Sequence, residues 1–149
     1  MKRRRNPLDV CFSDLVRMRV NFVCESCGKK GGIHDCAHIV SCRHVATRWH
    51  PQNAVDLCRG EHLFFTQHPF EWVDWCNEKL GTKFTDELRR VANKPVKWYP
   101  PARKAILVQY RAELNYMREL RDSGIVTRLD FPAHELMHEF GGGRGQRKK

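Results

Sequence analysis

Between Cys24 and His62 two sets of residues interleave. Cys24, Cys27 and Cys58 offer three thiolates, the first two on the Cys-x-x-Cys spacing of a zinc knuckle. Asp35, His38, Asn53 and His62 offer a carboxylate, two imidazoles and an amide, groups able to hold a divalent ion and take a proton from water. One set predicts a structural zinc, the other a site that cuts a phosphodiester.

Such hydrolysis needs an activated water, a cation against the charge growing on phosphate and support for the leaving oxygen. His38 follows Asp35 by three residues, and an imidazole that is neutral near pH 7 is matched to the role of general base. Asp35 is a hard oxygen ligand for Mg2+ or Mn2+, and His62 offers a nitrogen to the same ion. Arg43, Arg48 and Arg59 stand near these residues in the chain, and a guanidinium fork matches the oxygens of a scissile phosphate.

The elements that must position these groups can be read from periodicity and punctuation. Apolar residues from Leu8 to Val20 recur at helical spacing behind Pro7, predicting a helix that feeds the knuckle. Asn21-Phe22-Val23 predicts a strand into Cys24, and residues 33–41 predict a second strand carrying Asp35 and His38 on a hairpin. Pro51-Gln52-Asn53 has turn chemistry ahead of apolar Ala54 to Leu57, with Asn53 expected to staple the loop. Short helices follow at His62 to Phe65, from Pro69 to Gly81 and from Thr85 to Asn93.

Residues 94–101 read as a Pro-rich connector, and Ala102 to Ser123 as a helix of roughly 33 Å. Its Leu107, Tyr110, Leu114 and Met117 keep a heptad spacing that would suit pairing with a second copy of the chain. The simpler alternative is packing on its own domain. The expected division is therefore a core at 1–93, the connector, a helical extension at 102–140 and a flexible basic tail at 141–149.

Lys and Arg number 27 against 17 Asp and Glu in 149 residues, a net charge of +10 that makes nucleic acid the default partner. The excess is partly terminal, at Lys2 to Arg5 and Arg144 to Lys149. Seven cysteines, an odd number with a knuckle spacing, fit metal binding better than disulfides. No apolar run is long enough to span a bilayer or serve as a signal peptide, so no membrane role and a cytoplasmic location are expected.

The order Cys-x-x-Cys, hairpin His, central Asn and Cys-x-x-x-His resembles the HNH, or ββα-metal, nucleases over about Leu8 to Gly81. Asp35-x-x-His38 is similar to the Asp-x-x-His of endonuclease VII-type resolvases and of phage NinG (Rap) recombination proteins. Phe12-Ser13 and Arg17-x-Arg19 before the knuckle, Arg43-His44 and Arg48-Trp49 before Asn53, then Pro69-x-Glu71 and Trp75, are similar to the NinG-like proteins. The resemblance implies an α+β fold with a small zinc-stabilised, treble-clef-like ββα-metal core and appended helices. It implies a DNA endonuclease acting on four-way junctions or other branched DNA, working in a bacterial host cell if phage-encoded. His38 would be the base, Asp35 and His62 metal ligands, and Asn53 a ligand or a brace for the His38 loop.

The chain departs from the family where Cys58-Arg59-Gly60-Glu61-His62 puts Glu61 in place of a fourth zinc cysteine. Glu61, Cys36 or Cys42 can complete a tetrahedral zinc, and Glu61 is favoured on position. Were His62 drawn into that zinc instead, the chain would be a non-catalytic zinc protein that binds DNA. Phe64, Phe65, Phe70, Trp72 and Trp75, at helical spacing, read as core residues before base-stacking platforms.

His134-Glu135-Leu136-Met137-His138 is a literal His-Glu-x-x-His, which on a helix puts two imidazoles on one face of a metalloprotease. Arg144 stands where a third histidine would be needed, and a short amphipathic helix packing Leu136 and Phe140 is the plainer expectation.

Overall fold

The computed structural model describes residues 5–140; the basic residues at 2–4 and the tail from 141 lie outside the described residues. The fold is mixed α+β, with five helices and one two-stranded sheet among them. No helix in this range is long and apolar enough to cross a membrane.

Helix α1 spans Pro7–Arg19, capped where the Asn6 side chain accepts the Leu8 N–H at 3.0 Å. Such a cap is worth about 1 kcal/mol, and Pro at the first turn gives up an N–H that the helix cannot use. The helix exits through Asn21 and Phe22 at φ 53° and 55°, whose N–H groups return to the Met18 and Arg17 carbonyls at 3.1 and 3.0 Å. Residues 21–23, expected as a strand, therefore form a left-handed helix exit. The unpaired carbonyls at the helix end outweigh the weak β preference of three residues. Only Val23 pairs, in a single bridge to Lys30.

Strand β1, His34–His38, runs antiparallel to β2, Ala54–Cys58, with Asp35 opposite Leu57, Ala37 opposite Val55 and His38 opposite Ala54. Cross-strand pairs share a face. Ala37, Val55 and Leu57 pack with Phe65 of α2 (Arg59–Gln67), backed by Trp72 and Trp75 of α3 (Pro69–Leu80). Cys36 and Ala54 join the core formed with α1. The strand expected to reach residue 41 stops at His38, because Ile39 and Val40 turn aside to bond Asn53.

Helix α4 spans Thr82–Ala92 and α5 spans Pro100–Asp122. The α5 stripe Ile106, Tyr110, Leu114 and Met117 is buried with Phe12, Leu15 and Val16 of α1. The apolar face read as a possible pairing seam is thus turned into its own chain, and residues 102–140 share a core with α1.

A chain of buried charge ties these pieces together. Arg19, only 4% exposed, donates to the carbonyls of Pro51 and Ala54 at 2.7 and 2.6 Å. Glu25 lies 3.7 Å from Arg19, accepts the Asp56 N–H at 2.8 Å and bonds Arg128 at 3.0 Å. Arg19 thus fastens α1 to the start of β2.

Residues 134–140 do not form the expected helix. The His134 imidazole accepts the Leu136 N–H at 3.2 Å and its carbonyl accepts the Met137 N–H at 2.9 Å, closing turns that compete with a helix. Phe140 is buried against Phe84, as expected, while Leu136 is exposed and Met137 takes the inward place.

Candidate metal and hydrolytic site

The knuckle is built by backbone bonds: Cys24 donates to the Lys29 carbonyl at 3.0 Å, and Gly28, at φ 75°, returns its N–H to Cys24 at 2.9 Å. A side chain at φ 75° would be strained, which suits glycine to that position. Cys58 ends β2 and is the N-cap of α2. The sulfurs of Cys24, Cys27 and Cys58 lie within 4.8 Å of one another, a cluster that can hold a metal ion. Three thiolates in one small cluster have the donor chemistry of a structural zinc. Burial raises the Cys24 thiol pKa, but N–H groups of Cys27, Cys58 and Ser26 outweigh it and favour the thiolate.

Glu61 is not in this cluster. Its carboxylate accepts the Ser26 hydroxyl at 2.6 Å, beside the knuckle. Cys36 lies in the α1 core, with burial pushing its pKa up to about 12, and Cys42 is exposed. The three-cysteine set is therefore what the folded chain assembles, and His62 points elsewhere.

His62 Nδ1 lies 3.1 Å from Asp35 Oδ2. Arg59 grips the same carboxylate with two bonds, at 2.7 and 2.9 Å. Burial alone would raise the Asp35 pKa; the hydrogen bonds from Arg59 and His62 reverse this and hold it below the usual carboxylate range. Because a carboxylate held ionised only accepts, His62 donates to it from Nδ1.

His38, at the end of β1, donates from Nε2 to the Arg48 carbonyl at 2.9 Å, and its ring lies 5.8 Å from Phe12. Burial lowers its pKa, with the Arg48 carbonyl and Asp9 opposing, so the ring is neutral at pH 7. His38 and His62 line one pocket of about 130 Å³ with Ala37, Leu57, Phe65, Thr66 and Trp72.

Asn53 is fully buried and serves as a brace. Its Nδ2 donates to the carbonyls of Val40 and Thr47, both at 3.0 Å, and its Oδ1 accepts the Val40 N–H at 2.8 Å. With every polar atom engaged, it fixes the loop whose Arg48 carbonyl orients His38.

The three arginines differ. Arg59 is 61% exposed beyond its bonds to Asp35. Arg48 is held by Asp9 at 2.9 and 2.6 Å and lies over Trp49, whose indole also donates to Asp9. Arg43 is exposed and makes no ion pair among the described residues. Asp9 and Thr66 escape a reading of the sequence, since nothing in their local spacing marks them as neighbours of the hairpin, whereas Trp72, read as core, packs on the core and also lines the pocket.

His134 and His138 do not share a helical face. His138 lies 3.2 Å from Glu87, and its carbonyl accepts from His50 Nε2 at 2.9 Å. The arrangement a His-Glu-x-x-His zinc site requires is not formed among the described residues.

Comparison of the chain with protein-family models, curated proteins and solved structures found no significant match. The functional reading rests on the site itself.

Proposed function

We propose that this chain is an HNH-type endonuclease that hydrolyses DNA with one Mg2+ or Mn2+ ion, its knuckle stiffened by a separate zinc. The observation that carries the reading is one pocket lined by both His38 and His62, the first bonded through Nε2 to the Arg48 carbonyl and the second through Nδ1 to Asp35. His38 takes the proton of the attacking water. His62, held in register by Asp35, is a nitrogen ligand for the divalent ion.

Arg59 occupies the Asp35 carboxylate that would otherwise ligate that ion. Phosphate is a competing bidentate partner for the same guanidinium, so DNA that draws Arg59 away frees Asp35 for the metal. Arg43, exposed in the loop after β1, supplies further charge to the backbone. The long 39–53 loop braced by Asn53 holds the base in place.

The substrate is branched DNA. The test is a synthetic four-way junction and its linear duplex control, incubated with Mg2+ or Mn2+. Faster cutting of the junction is expected, and equal cutting of both would end the branched-DNA assignment. A second reading, a non-catalytic zinc protein that binds DNA, draws on Asp35 being fully engaged by Arg59 and His62; it requires that neither substrate be cut.

A further inference from the structure

We propose that the pocket lined by His38, His62 and Trp72 receives one unpaired nucleobase, stacked on the Trp72 ring, beside the phosphate to be cut. This rests on the endonuclease reading and names the feature of branched DNA that the site recognises.

Trp72 is half-buried and pinned from behind. Its ring stacks on Trp75 with centroids 5.4 Å apart and planes 8° from parallel, and it packs against Phe65 at 5.1 Å. A ring fixed in this way loses little freedom when a ligand stacks on it. The part of it not covered by Trp75 and Phe65 lines the pocket.

The lining tells a base from a phosphate. It contains no Lys or Arg; Trp72 offers ring surface while His38, His62 and Thr66 supply polar edges, a combination that suits a flat neutral ring with hydrogen-bonding groups on its rim. The cation of this region, Arg59, stands on the Asp35 side of His62. Thr66, whose hydroxyl donates to the His62 carbonyl at 2.7 Å, keeps a lone pair for a base N–H.

A base inside a duplex is paired and stacked on both faces, and must leave the stack to enter such a pocket. A nucleotide already unpaired at a branch point or bulge enters without that cost. Preference for branched DNA then follows from the pocket and needs no recognition of the junction's overall shape.

The test uses a short duplex carrying one bulged 2-aminopurine, with zinc retained and no other divalent ion, so that binding is read without cutting. Wild type is expected to quench the 2-aminopurine and to bind this duplex more tightly than a fully paired one. Trp72→Phe should keep most of the effect. Trp72→Leu should abolish the quench and weaken binding to the bulged duplex about ten-fold, leaving the paired duplex unchanged.

Thr66→Phe, which fills the pocket from its exposed rim without touching the buried rings, should give the same loss even if Trp72→Leu fails to fold. Equal quenching by wild type and Thr66→Phe, or equal losses on bulged and paired DNA, would overturn the proposal. Cutting of DNA with a Trp72-independent signal removes the pocket's role and leaves the endonuclease reading. A Trp72-dependent signal in a protein that cuts nothing does the reverse.

Discussion

The imidazole of His38 donates its Nε2 proton to the backbone carbonyl of Arg48 at 2.9 Å. A carbonyl can only accept, so this bond selects the tautomer whose Nδ1 lone pair is free. Asn53 holds the loop that presents the carbonyl, and Asp9 holds the Arg48 side chain. In the proposed mechanism Nδ1 is the atom that would take a proton from water.

The pH dependence of nicking follows from the same environment. Burial depresses the His38 pKa below its ordinary 6.5, so the base form is already complete at neutrality. Single-turnover nicking with Mn2+ should rise with pH below 6.5 and level off before pH 7. A rise continuing through pH 7 to 8 would assign the limiting base to another group.

Cys58 belongs to the thiol cluster and Glu61 does not. Cys58→Ser removes one of three clustered thiols and should leave zinc content well below one per chain, with a stability loss of at least about 3 kcal/mol. Glu61→Gln keeps a partner for Ser26 and should retain its zinc. Metal analysis of both variants checks this; loss of zinc from Glu61→Gln would make Glu61 the fourth ligand after all.

In the proposed mechanism Arg59 and a divalent ion compete for Asp35. Arg59→Ala frees both carboxylate oxygens, so Mn2+ should bind the DNA-free variant a few-fold more tightly in calorimetry, while nicking slows for want of a phosphate clamp. Unchanged Mn2+ affinity would mean that Asp35 acts only by orienting His62.

His50 gives the fold an acid limit. It is buried, donates from Nε2 to the His138 carbonyl and accepts the Gln52 N–H at Nδ1, an arrangement that needs the neutral ring. Burial lowers its pKa to about 4 from an ordinary 6.5. The unfolded chain therefore binds the proton first as pH falls. The stabilisation is complete above 6.5 and lost between 6.5 and about 4, at most about 3 kcal/mol. Urea unfolding across this range should show that slope, and His50→Gln should flatten it.

Helices α1, α3 and α5 are legible in the sequence because apolar spacing and Pro or Gly at their ends coincide. The meeting of His38 with His62 is legible because a strand, a loop and a helix follow one another within a few dozen residues. What is not legible depends on distant partners. Nothing in the local sequence marks Arg19 for burial, yet it lies among the carbonyls of Pro51 and Ala54 and beside Glu25. Phe22 reads as strand, yet helix carbonyls claim its N–H. Glu61 faces Ser26, and Arg59 covers Asp35, through side-chain choices that spacing does not encode. Among the aromatics, Phe65 is core as expected, whereas Phe70 is 84% exposed.

Nicking of supercoiled plasmid with Mn2+, comparing wild type and His38→Ala at matched zinc content and matched helical circular dichroism, decides whether the protein is a nuclease with His38 as its base. Wild type should nick the plasmid, and the variant should be slower by about 10² or more, the usual contribution of a positioned general base. Equal rates in the two proteins would remove His38 as the base, and no nicking by wild type would remove the nuclease assignment itself.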